Sequence, residues 1–307
     1  MIRIGIDLGG TNIAVGAVDD GHAIVSRVSV PTLAYRPAAE VVGDMGDAVE
    51  AALAKAGLSI GDCCSIGIGS PGTCDSANGV VVRAYNLGWF NVPVCSMVTA
   101  RLGLPCRLSN DANCAALAET VAGGAVGCRN MILITLGTGV GGGIIIGKIY
   151  DGMRGAGAEL GHTLLVLDGE PCTCGRRGCW EAYSSATALI RQARQAVAEH
   201  PESLLAGAEE ITGKTVFDAA DRGDETANAV VDRFCDYLGA GVTNIVNALA
   251  PEVILIGGGI SRQGERLLAP VRRYVEKNCF GGKDGAIPII AAARLGNDAG
   301  IIGAAAL

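Results

Sequence analysis

The chain has 307 residues and a formal net charge of −7, from 24 Lys and Arg against 31 Asp and Glu. It has no long basic run, which argues against nucleic acid as the main partner. Half of the residues are hydrophobic, only 4% are aromatic and 46 are Gly. This mixture is typical of an α/β protein whose buried strands are joined by tight turns, and the length suffices for two domains.

The apolar segments are short. Mean hydropathy is +0.38, but Gly, Pro or a charged residue interrupts each apolar run well before the roughly 20 residues that a membrane-spanning helix needs. Residues 1–5 already form a strand pattern, which leaves no room for the apolar part of a signal peptide. We therefore predict a cytoplasmic protein that does not bind a membrane.

The first thirty residues predict three strands. The first runs to Leu8 and ends in a Gly-Gly turn, the second runs through Val18, and Asp19-Asp20-Gly21 leads into the third. A segment of helical periodicity follows at residues 38–56. SIGIGSPG and CRLSND predict two further strand-and-turn units, and the second continues into the helical composition of ANCAALAETVAG.

The pattern of strand, glycine turn and strand returns near residue 131, in MILITLGTGVGGGIIIGKIYDG. This return indicates an internal duplication. VILIGGGIS is a third strand-and-turn unit, between predicted helices at residues 237–251 and 264–278. We place the lobe boundary near residue 120. The smaller lobe then comprises residues 1–120, joined by residues 296–307, and the larger lobe comprises residues 121–295.

Three glycine-rich turns follow strands, at residues 9–10, 137–143 and 257–259. Glycine lacks a Cβ and tolerates positive φ, so phosphate oxygens can approach the backbone N–H groups of such turns. One turn alone is better explained as a tight hairpin, whereas three in one chain favour a bound nucleotide polyphosphate. Asp7, just before the first turn, either holds Mg²⁺ or hydrogen-bonds its own turn.

The middle turn does not fit two common nucleotide motifs. Gly137-x-Gly139-x-x-Gly142 has the dinucleotide spacing, but the β-branched run at 144–146 follows where that motif opens a helix. Gly142-x-x-x-x-Gly147-Lys148 approaches a P-loop, but Ile149 replaces the Ser or Thr that binds Mg²⁺. The turn therefore lies between two strands, as the first one does.

Asp111 follows a strand pattern and precedes a helix. An Asp at this place is commonly an N-cap. It is equally a carboxylate that can accept the proton of a substrate hydroxyl, and its neighbour Asn110 can bind another hydroxyl. Together with the phosphate turns, the catalytic interpretation is favoured.

The 12 cysteines fall into two groups. Nine lie singly or as the Cys63-Cys64 pair in apolar segments and are predicted to be reduced core residues. Cys172, Cys174 and Cys179 lie within eight positions, and with His162 they form a Cys₃His set that suits a closed, structural Zn²⁺ site. The alternative is a group of buried thiols beside a packed histidine.

Several motifs together resemble a known family. GIDLGGTN and LGTGVGGG resemble the two phosphate motifs of the actin-like ATPase superfamily of sugar kinases. GAELGH followed by CTCGRRGCWE resembles the ROK family of repressors, open reading frames and kinases. Within it, YNLGW and LGNDAG are most similar to bacterial ATP-dependent glucokinases. The similarity runs from residue 5 to residue 300, and it implies two ribonuclease-H-like α/β lobes around a central cleft.

The resemblance also implies residue roles. It makes Asp111 the general base in phosphorylation of the 6-hydroxyl of glucose by MgATP, which yields glucose 6-phosphate and ADP. The residues implied to contact or border the sugar are Gly72, Asn86, Asn110, Asp111, Glu159, His162 and Glu181. Those implied to contact ATP and Mg²⁺ are Asp7, Gly9, Gly10, Thr11, Asn12, Thr138, Gly139, Gly257, Gly258 and Gly259.

His162 is implied twice, as a zinc ligand and as a sugar contact. Its two ring nitrogens permit both roles, because one can bind the metal while the other donates its N–H to a hydroxyl. Metal binding would then position Glu159 and Glu181 as well.

Two alternatives stay open. A ROK kinase for N-acetylmannosamine, N-acetylglucosamine or fructose would differ around the C2 substituent, at residues that the sequence does not identify. A sugar-responsive ROK repressor would carry an additional N-terminal winged-helix domain, and the immediate start of the first strand favours the enzyme. The resemblance implies a homodimer or homotetramer.

Overall fold

The computed structural model describes residues 1–307, which divide into two compact units. Unit 1 comprises Met1–Met131, Gly143–Ala158 and Arg294–Leu307, and unit 2 comprises Ile132–Gly142 and Glu159–Ala293. No helix combines the length and the apolar stretch required to cross a bilayer.

The strands and helices are numbered in chain order. The strands are β1 (Ile2–Leu8), β2 (Asn12–Val18), β3 (Ile24–Pro31), β4 (Cys63–Ser70), β5 (Thr73–Asp75), β6 (Val80–Ala84), β7 (Trp89–Val92), β8 (Cys106–Asn110), β9 (Asn130–Leu136), β10 (Val140–Ile146), β11 (Lys148–Ile149), β12 (Val253–Gly258) and β13 (Ile289–Ala292). The helices are α1 (Ala38–Lys55), α2 (Val94–Leu102), α3 (Asp111–Val121), α4 (Glu181–Ser184), α5 (Ala186–Glu199), α6 (Gly213–Asp221), α7 (Glu225–Leu249), α8 (Glu265–Asn278) and α9 (Ala299–Ala305).

Unit 1 contains a mixed sheet of order β3-β2-β1-β4-β8. The three N-terminal strands pair antiparallel, whereas β4 and β8 continue the sheet in parallel with β1. The three strands expected at the N-terminus and the strand-and-turn units at β4 and β8 are thereby confirmed. Strand alternation buries Ile4, Ile6 and Leu8 completely on one face of β1.

The last helix, α9, packs against the other face of this sheet. Its backbone comes so close that a Cβ at Gly5 would overlap the carbonyl oxygen of Ile301, and a Cβ at Gly67 would overlap that of Ala304. Glycine at these two strand positions therefore permits the helix to reach the sheet. As a result, the chain's last residues lie beside β1 and β4.

A small antiparallel sheet of order β5-β6-β7 was not expected from the sequence. Its strands have three to five residues, too short for an alternation pattern to be distinct. Trp89 faces the core at 3% exposure, and the loop between β6 and β7 carries Asn86.

The second sheet has the order β11-β10-β9-β12-β13. In unit 2, helix α7 begins at Glu225, twelve residues before the helix expected at residue 237, because Asp224 caps it by accepting from the N–H of Ala227. Gly241 in this helix makes room for the buried Trp180, whose ring would overlap a Cβ there. Trp180 in turn precedes Glu181, the first residue of α4.

The compact units differ from the boundary near residue 120, which placed residues 121–158 in the larger lobe. Residues 143–158 pack within unit 1. Gly143 lies so close to the Ala112 backbone, and Gly155 so close to the Cys74 carbonyl, that a Cβ at either position would overlap these atoms. The side-chain amide of Asn113 also donates to Asp151 Oδ1 at 3.1 Å. These contacts between distant segments leave no trace in local periodicity.

Candidate active site

The first glycine turn joins β1 to β2. Gly9 N–H donates to the Asn12 carbonyl at 2.9 Å, and the Thr32 hydroxyl donates to the Gly9 carbonyl at 2.7 Å. Thr32 N–H donates to the Thr11 carbonyl at 2.8 Å. Hydrogen bonds within the turn and from the residue after β3 therefore fix the conformation of the turn. A backbone site for an anion requires a conformation that is fixed in this way before the anion binds.

Asp7 lies at the end of β1, beside this turn. Burial, and secondarily the charge of Asp111, raise the pKa of Asp7 from 3.8 to about 6. Gly300 permits the approach of α9, because a Cβ there would overlap the Asp7 carboxylate. A buried carboxylate whose ionisation is opposed by a second carboxylate nearby makes a site that a divalent cation would stabilise, so the residues fit a bound Mg²⁺.

Asp111 is the first residue of α3, but it is not the N-cap. Asn110 takes that role, since its Oδ1 accepts from the N–H groups of Ala112 and Asn113. Asp111 Oδ1 also accepts from Ala112 N–H, at 2.8 Å. The capping interpretation weighed for Asp111 therefore applies to its neighbour. The Asp111 carboxylate lies in the first turn of α3.

The other predicted residues of unit 1 lie around the same turn. Asn110 Nδ2 donates to the Gly72 carbonyl at 3.0 Å, and Gly72 has a positive φ of 84°. A Cβ on Gly10 would lie 3.1 Å from Asn86 Nδ2. Asn110 therefore uses its carbonyl oxygen in capping and part of its amide on Gly72, which leaves one amide hydrogen for a substrate.

The second glycine turn, between β9 and β10, has a similar backbone plan. Gly137 N–H donates to the Gly139 carbonyl at 3.0 Å, and the Thr187 hydroxyl donates to the Thr138 carbonyl at 2.9 Å. The third turn lies next to the second one. Gly258 has a φ of 86° and lies so close to the Leu136 carbonyl that a Cβ there would overlap it. Unit 2 thereby brings together Thr138, Gly139 and Gly257–Gly259.

The side chain of Glu181 is fixed on the second turn. Its Oε2 accepts from Val140 N–H at 3.0 Å, and its Oε1 accepts from the Thr173 hydroxyl at 3.1 Å. A Cβ at Gly139 would overlap Oε2, so this glycine is needed for the carboxylate as well as for the turn. Gly161, between Glu159 and His162, packs against the Val140 carbonyl in the same way. The three predicted sugar contacts of unit 2 therefore surround one turn.

His162, Cys172, Cys174 and Cys179 also lie together. Their four ligand atoms are all within 4.8 Å of one another. Cys174 Sγ is 3.7 Å from Cys179 Sγ, and Cys172 Sγ is 3.6 Å from His162 Nδ1. Tetrahedral Zn²⁺ with bonds of about 2.3 Å to sulfur and about 2.0 Å to nitrogen separates two sulfurs by about 3.8 Å, and sulfur from nitrogen by about 3.5 Å. The donor set and its separations fit zinc.

The orientation of His162 assigns different tasks to its ring nitrogens. Nδ1 faces the thiols, so Nε2 is the nitrogen that can meet a hydroxyl. Cys172 Sγ also lies 3.6 Å from Glu181 Oε1, so the cluster and the carboxylate are neighbours.

Several supporting residues were missed by the sequence analysis. Glu119 is fully buried, and its carboxylate accepts from the backbone N–H groups of Gly124, Arg294 and Leu295 at 2.6, 2.8 and 2.9 Å. It ties the end of α3 to the segment that leads into α9. The available signal was a lone Glu in the otherwise uncharged ANCAALAETVAG. For Thr173, which orients Glu181, the sequence contained no signal.

The chain is an α/β protein with two strand–turn–strand units, and a carboxylate lies beside the glycine turn of each. Within that class the chain belongs to the ROK family, whose model matches residues 3–307.

Two named relatives and one solved structure show the extent of the similarity to this family. The glucokinase of Halalkalibacterium halodurans is 41% identical over 98% of this chain and 92% of its own length. The crystal structure of a ROK family glucokinase from Streptomyces griseus, in complex with glucose and AMPPNP, is 38% identical with a TM-score of 0.81, and the match covers 100% of this chain and 98% of that one. The xylose repressor of Caldicellulosiruptor bescii is 32% identical over 90% of this chain and 70% of its own length.

Proposed function

We propose that this protein is a glucokinase, which transfers the γ-phosphoryl group of ATP to the 6-hydroxyl of glucose and releases glucose 6-phosphate and ADP. The observation that carries this proposal is similarity to glucokinases over the full length of the chain. The Asp7 and Asp111 pair beside a preformed phosphate turn supports the same chemistry. The fold class proposed with it is the two-lobed, actin-like ATPase type.

Asp111 acts as the general base. Its carboxylate accepts the proton of the glucose 6-hydroxyl as O6 forms a bond to the γ-phosphorus and the bond from that phosphorus to the ADP oxygen breaks. Its capping neighbour Asn110 holds the backbone at the start of α3, and Ala112 N–H donates to Asp111 Oδ1, so the base is oriented before the substrate arrives.

The glycine turns hold the nucleotide. Backbone N–H groups at Gly10–Asn12, in the turn that begins at Gly9, and at Thr138–Gly139 would contact phosphate oxygens, and Gly257–Gly259 would lie near the adenosine. Asp7 would hold Mg²⁺, which neutralises the charge on the β- and γ-phosphates when bound. Most of the rate acceleration then comes from positioning and charge stabilisation, as in other phosphoryl transfers.

The residues proposed to contact the sugar are Gly72, Asn86 and Asn110 in unit 1, and Glu159, His162 and Glu181 in unit 2. The cluster of His162, Cys172, Cys174 and Cys179 is proposed as a structural Zn²⁺ site, which when loaded holds the segment 162–181 in one conformation. His162 Nε2 and the Glu181 carboxylate are then fixed in orientation by Nδ1 ligation and by Thr173 and Val140.

The test is a coupled assay of ADP release over a panel of hexoses that includes glucose, N-acetylmannosamine, N-acetylglucosamine and fructose. We expect the highest kcat/KM with glucose, and strict dependence on Mg²⁺. Preference for another hexose would move the proposal to a different ROK sugar kinase. Light scattering on the same samples tests the predicted homodimer or homotetramer.

A second candidate function is sugar-dependent regulation without catalysis. It is favoured by the similarity to the xylose repressor over 90% of this chain. Sugar binding by calorimetry without turnover on any hexose would support this candidate against the kinase.

A further inference from the structure

Helix α4, which begins with Glu181, has only four residues. A helix of one turn forms too few hydrogen bonds of its own to offset the conformational entropy that it loses. Its N-cap residue, Trp180, provides no side-chain cap. At the other end, Ala186 N–H donates to the Gly137 carbonyl at 2.8 Å rather than to the Ala182 carbonyl four residues before it. The conformation of α4, and with it that of Glu181, therefore depends on groups outside the helix.

Two consecutive side chains of α5 bind the carbonyl groups that α4 leaves open. Arg191 Nη2 donates to the Ala182 carbonyl at 2.7 Å, and Gln192 Nε2 donates to the Tyr183 carbonyl at 2.9 Å. The last carbonyls of a helix need partners of this kind, because their own helix supplies no donor. The middle of α5 thereby fixes the end of α4.

Arg191 also contacts the cysteine loop, which comprises residues 163–180. Its Nη1 lies 2.8 Å from Glu170 Oε2, and this contact is an ion pair, since Nη1 forms no hydrogen bond there. Glu170 precedes Cys172 by two residues, and its N–H donates to the Tyr183 hydroxyl at 2.6 Å. The cysteine loop and α4 are therefore joined twice, through Tyr183 and through Arg191.

The Glu181 carboxylate depends on both of these parts. Its backbone belongs to α4, whereas its Oε1 accepts from the hydroxyl of Thr173 in the cysteine loop, at 3.1 Å. A displacement of α4 relative to the loop would break this hydrogen bond and change the orientation of the carboxylate. Arg191 belongs to neither part and contacts each of them, so it opposes this displacement.

The guanidinium group suits this task because it is planar and carries N–H groups on two separate terminal nitrogens. One nitrogen binds a carbonyl of α4 and the other pairs with a carboxylate of the cysteine loop. Lysine ends in a single nitrogen, so it can keep one of these contacts but not both. The Arg191 side chain is 32% exposed, and an ion pair so open to solvent contributes little by itself. The simultaneous contact with α4 therefore accounts for most of the effect.

We propose that Arg191 is a positioning residue of the sugar site, which fixes α4 and the cysteine loop in one arrangement and thereby orients the Glu181 carboxylate for a sugar hydroxyl. The positioning concerns the fold alone, whereas its effect on the sugar rests on the proposed glucose phosphorylation. The second glycine turn is held by Ala186 and Thr187 at the start of α5, so nucleotide binding does not depend on Arg191.

Hydrogen exchange of the full chain, followed by mass spectrometry, tests the positioning without any ligand. Arg191→Lys should speed exchange in peptides from residues 169–185 at least about 5-fold and leave α8 unchanged. The matched control is Arg194→Lys, at an exposed position of the same helix, which should alter neither region.

Calorimetry with glucose and with AMPPNP tests the effect on the substrates. Arg191→Lys should raise the Kd for glucose about 3- to 10-fold, and Glu170→Gln, which removes only the ion pair, about 2- to 3-fold. The Kd for AMPPNP should stay within about 2-fold and kcat within about 3-fold, because neither the nucleotide turns nor the base is touched. Elemental analysis should find bound zinc retained in both variants.

Unchanged hydrogen exchange in Arg191→Lys would overturn the positioning role, whatever the substrate. Faster exchange with unchanged glucose affinity, or equal losses for glucose and AMPPNP, would contradict the link to the sugar site. If exchange is faster in the variant but the wild type binds no hexose, the kinase proposal fails and the positioning of Glu181 by Arg191 stands.

Discussion

The first and second glycine turns of this protein share a backbone plan but hold their carboxylates in opposite ways. At the first turn, Asp7 belongs to the preceding strand, and burial together with the charge of Asp111 disfavours its ionised form. At the second turn, Glu181 comes from a distant segment, and a backbone N–H and a hydroxyl donate to its two oxygens. A bound cation would stabilise the ionised form of Asp7 at the first turn, whereas Glu181 at the second turn is a fixed acceptor for a neutral hydroxyl. A duplicated backbone can therefore support two different electrostatic tasks.

The largest expected effect is at the first turn. Asp111→Asn removes the proton acceptor but keeps the size of the side chain, so kcat should fall about 10²-fold or more while the Kd for glucose changes only a few-fold. Steady-state kinetics and glucose calorimetry measure the two quantities. Asp47→Asn, at an exposed position on α1, is the matched control and should turn over normally. Nearly normal turnover in Asp111→Asn would contradict the assignment of Asp111 as the general base.

At the second turn, removal of one thiol should act mainly on the sugar. Cys174→Ser should abolish bound zinc, measured by elemental analysis, and weaken glucose binding about 10-fold or more, while ATP binding changes at most about 3-fold. Cys128→Ser, in unit 1 and outside the cluster, is the control. Equal losses for both ligands would limit the cluster to a role in folding.

The ionisation of Asp7 should appear as a pH-dependent stability. Because its pKa is raised to about 6 in the folded state, the neutral form stabilises the fold, and this contribution is complete below pH 3.8 and lost as the pH rises through about 6. Asp7→Asn should therefore raise the free energy of unfolding of the metal-free protein by about 1–3 kcal/mol at pH 7.5.

Denaturant unfolding of wild type and Asp7→Asn between pH 4 and pH 8 measures this difference, which should shrink toward zero at the acidic end. A variant that is less stable than wild type at pH 7.5 would contradict the unfavourable burial of Asp7. The same variant should lose Mg²⁺-dependent turnover.

The smallest effect is expected from Thr173. Thr173→Val removes one hydrogen bond from a hydroxyl to the Glu181 carboxylate and preserves the shape of the side chain, so KM for glucose should rise about 2- to 10-fold with kcat nearly unchanged. Thr120→Val, whose hydroxyl bonds only within α3, is the control. A loss of kcat without a change in KM would show that Glu181 does more than hold the sugar.

The sequence predicted those parts of the site that depend on neighbours in the chain. The glycine turns follow their strands, and the short spacing of Cys172, Cys174 and Cys179 left few ways to arrange the thiols other than around a common centre. Asp111 was correctly placed at the start of a helix. Its neighbour Asn110 proved to be the cap, because capping depends on which side chain turns back toward the helix N–H groups.

By itself, the sequence determined the three N-terminal strands, the three turns and the Cys₃His set, since alternation, glycine and short spacings act within about ten residues. The tertiary structure alone decided that residues 143–158 pack in unit 1, and that Gly5, Gly67 and Gly143 permit backbone contacts between distant segments there. It also decided the partners of Glu181 and Glu119. Each of these depends on the distance between groups far apart in the chain, which packing sets and local pattern does not.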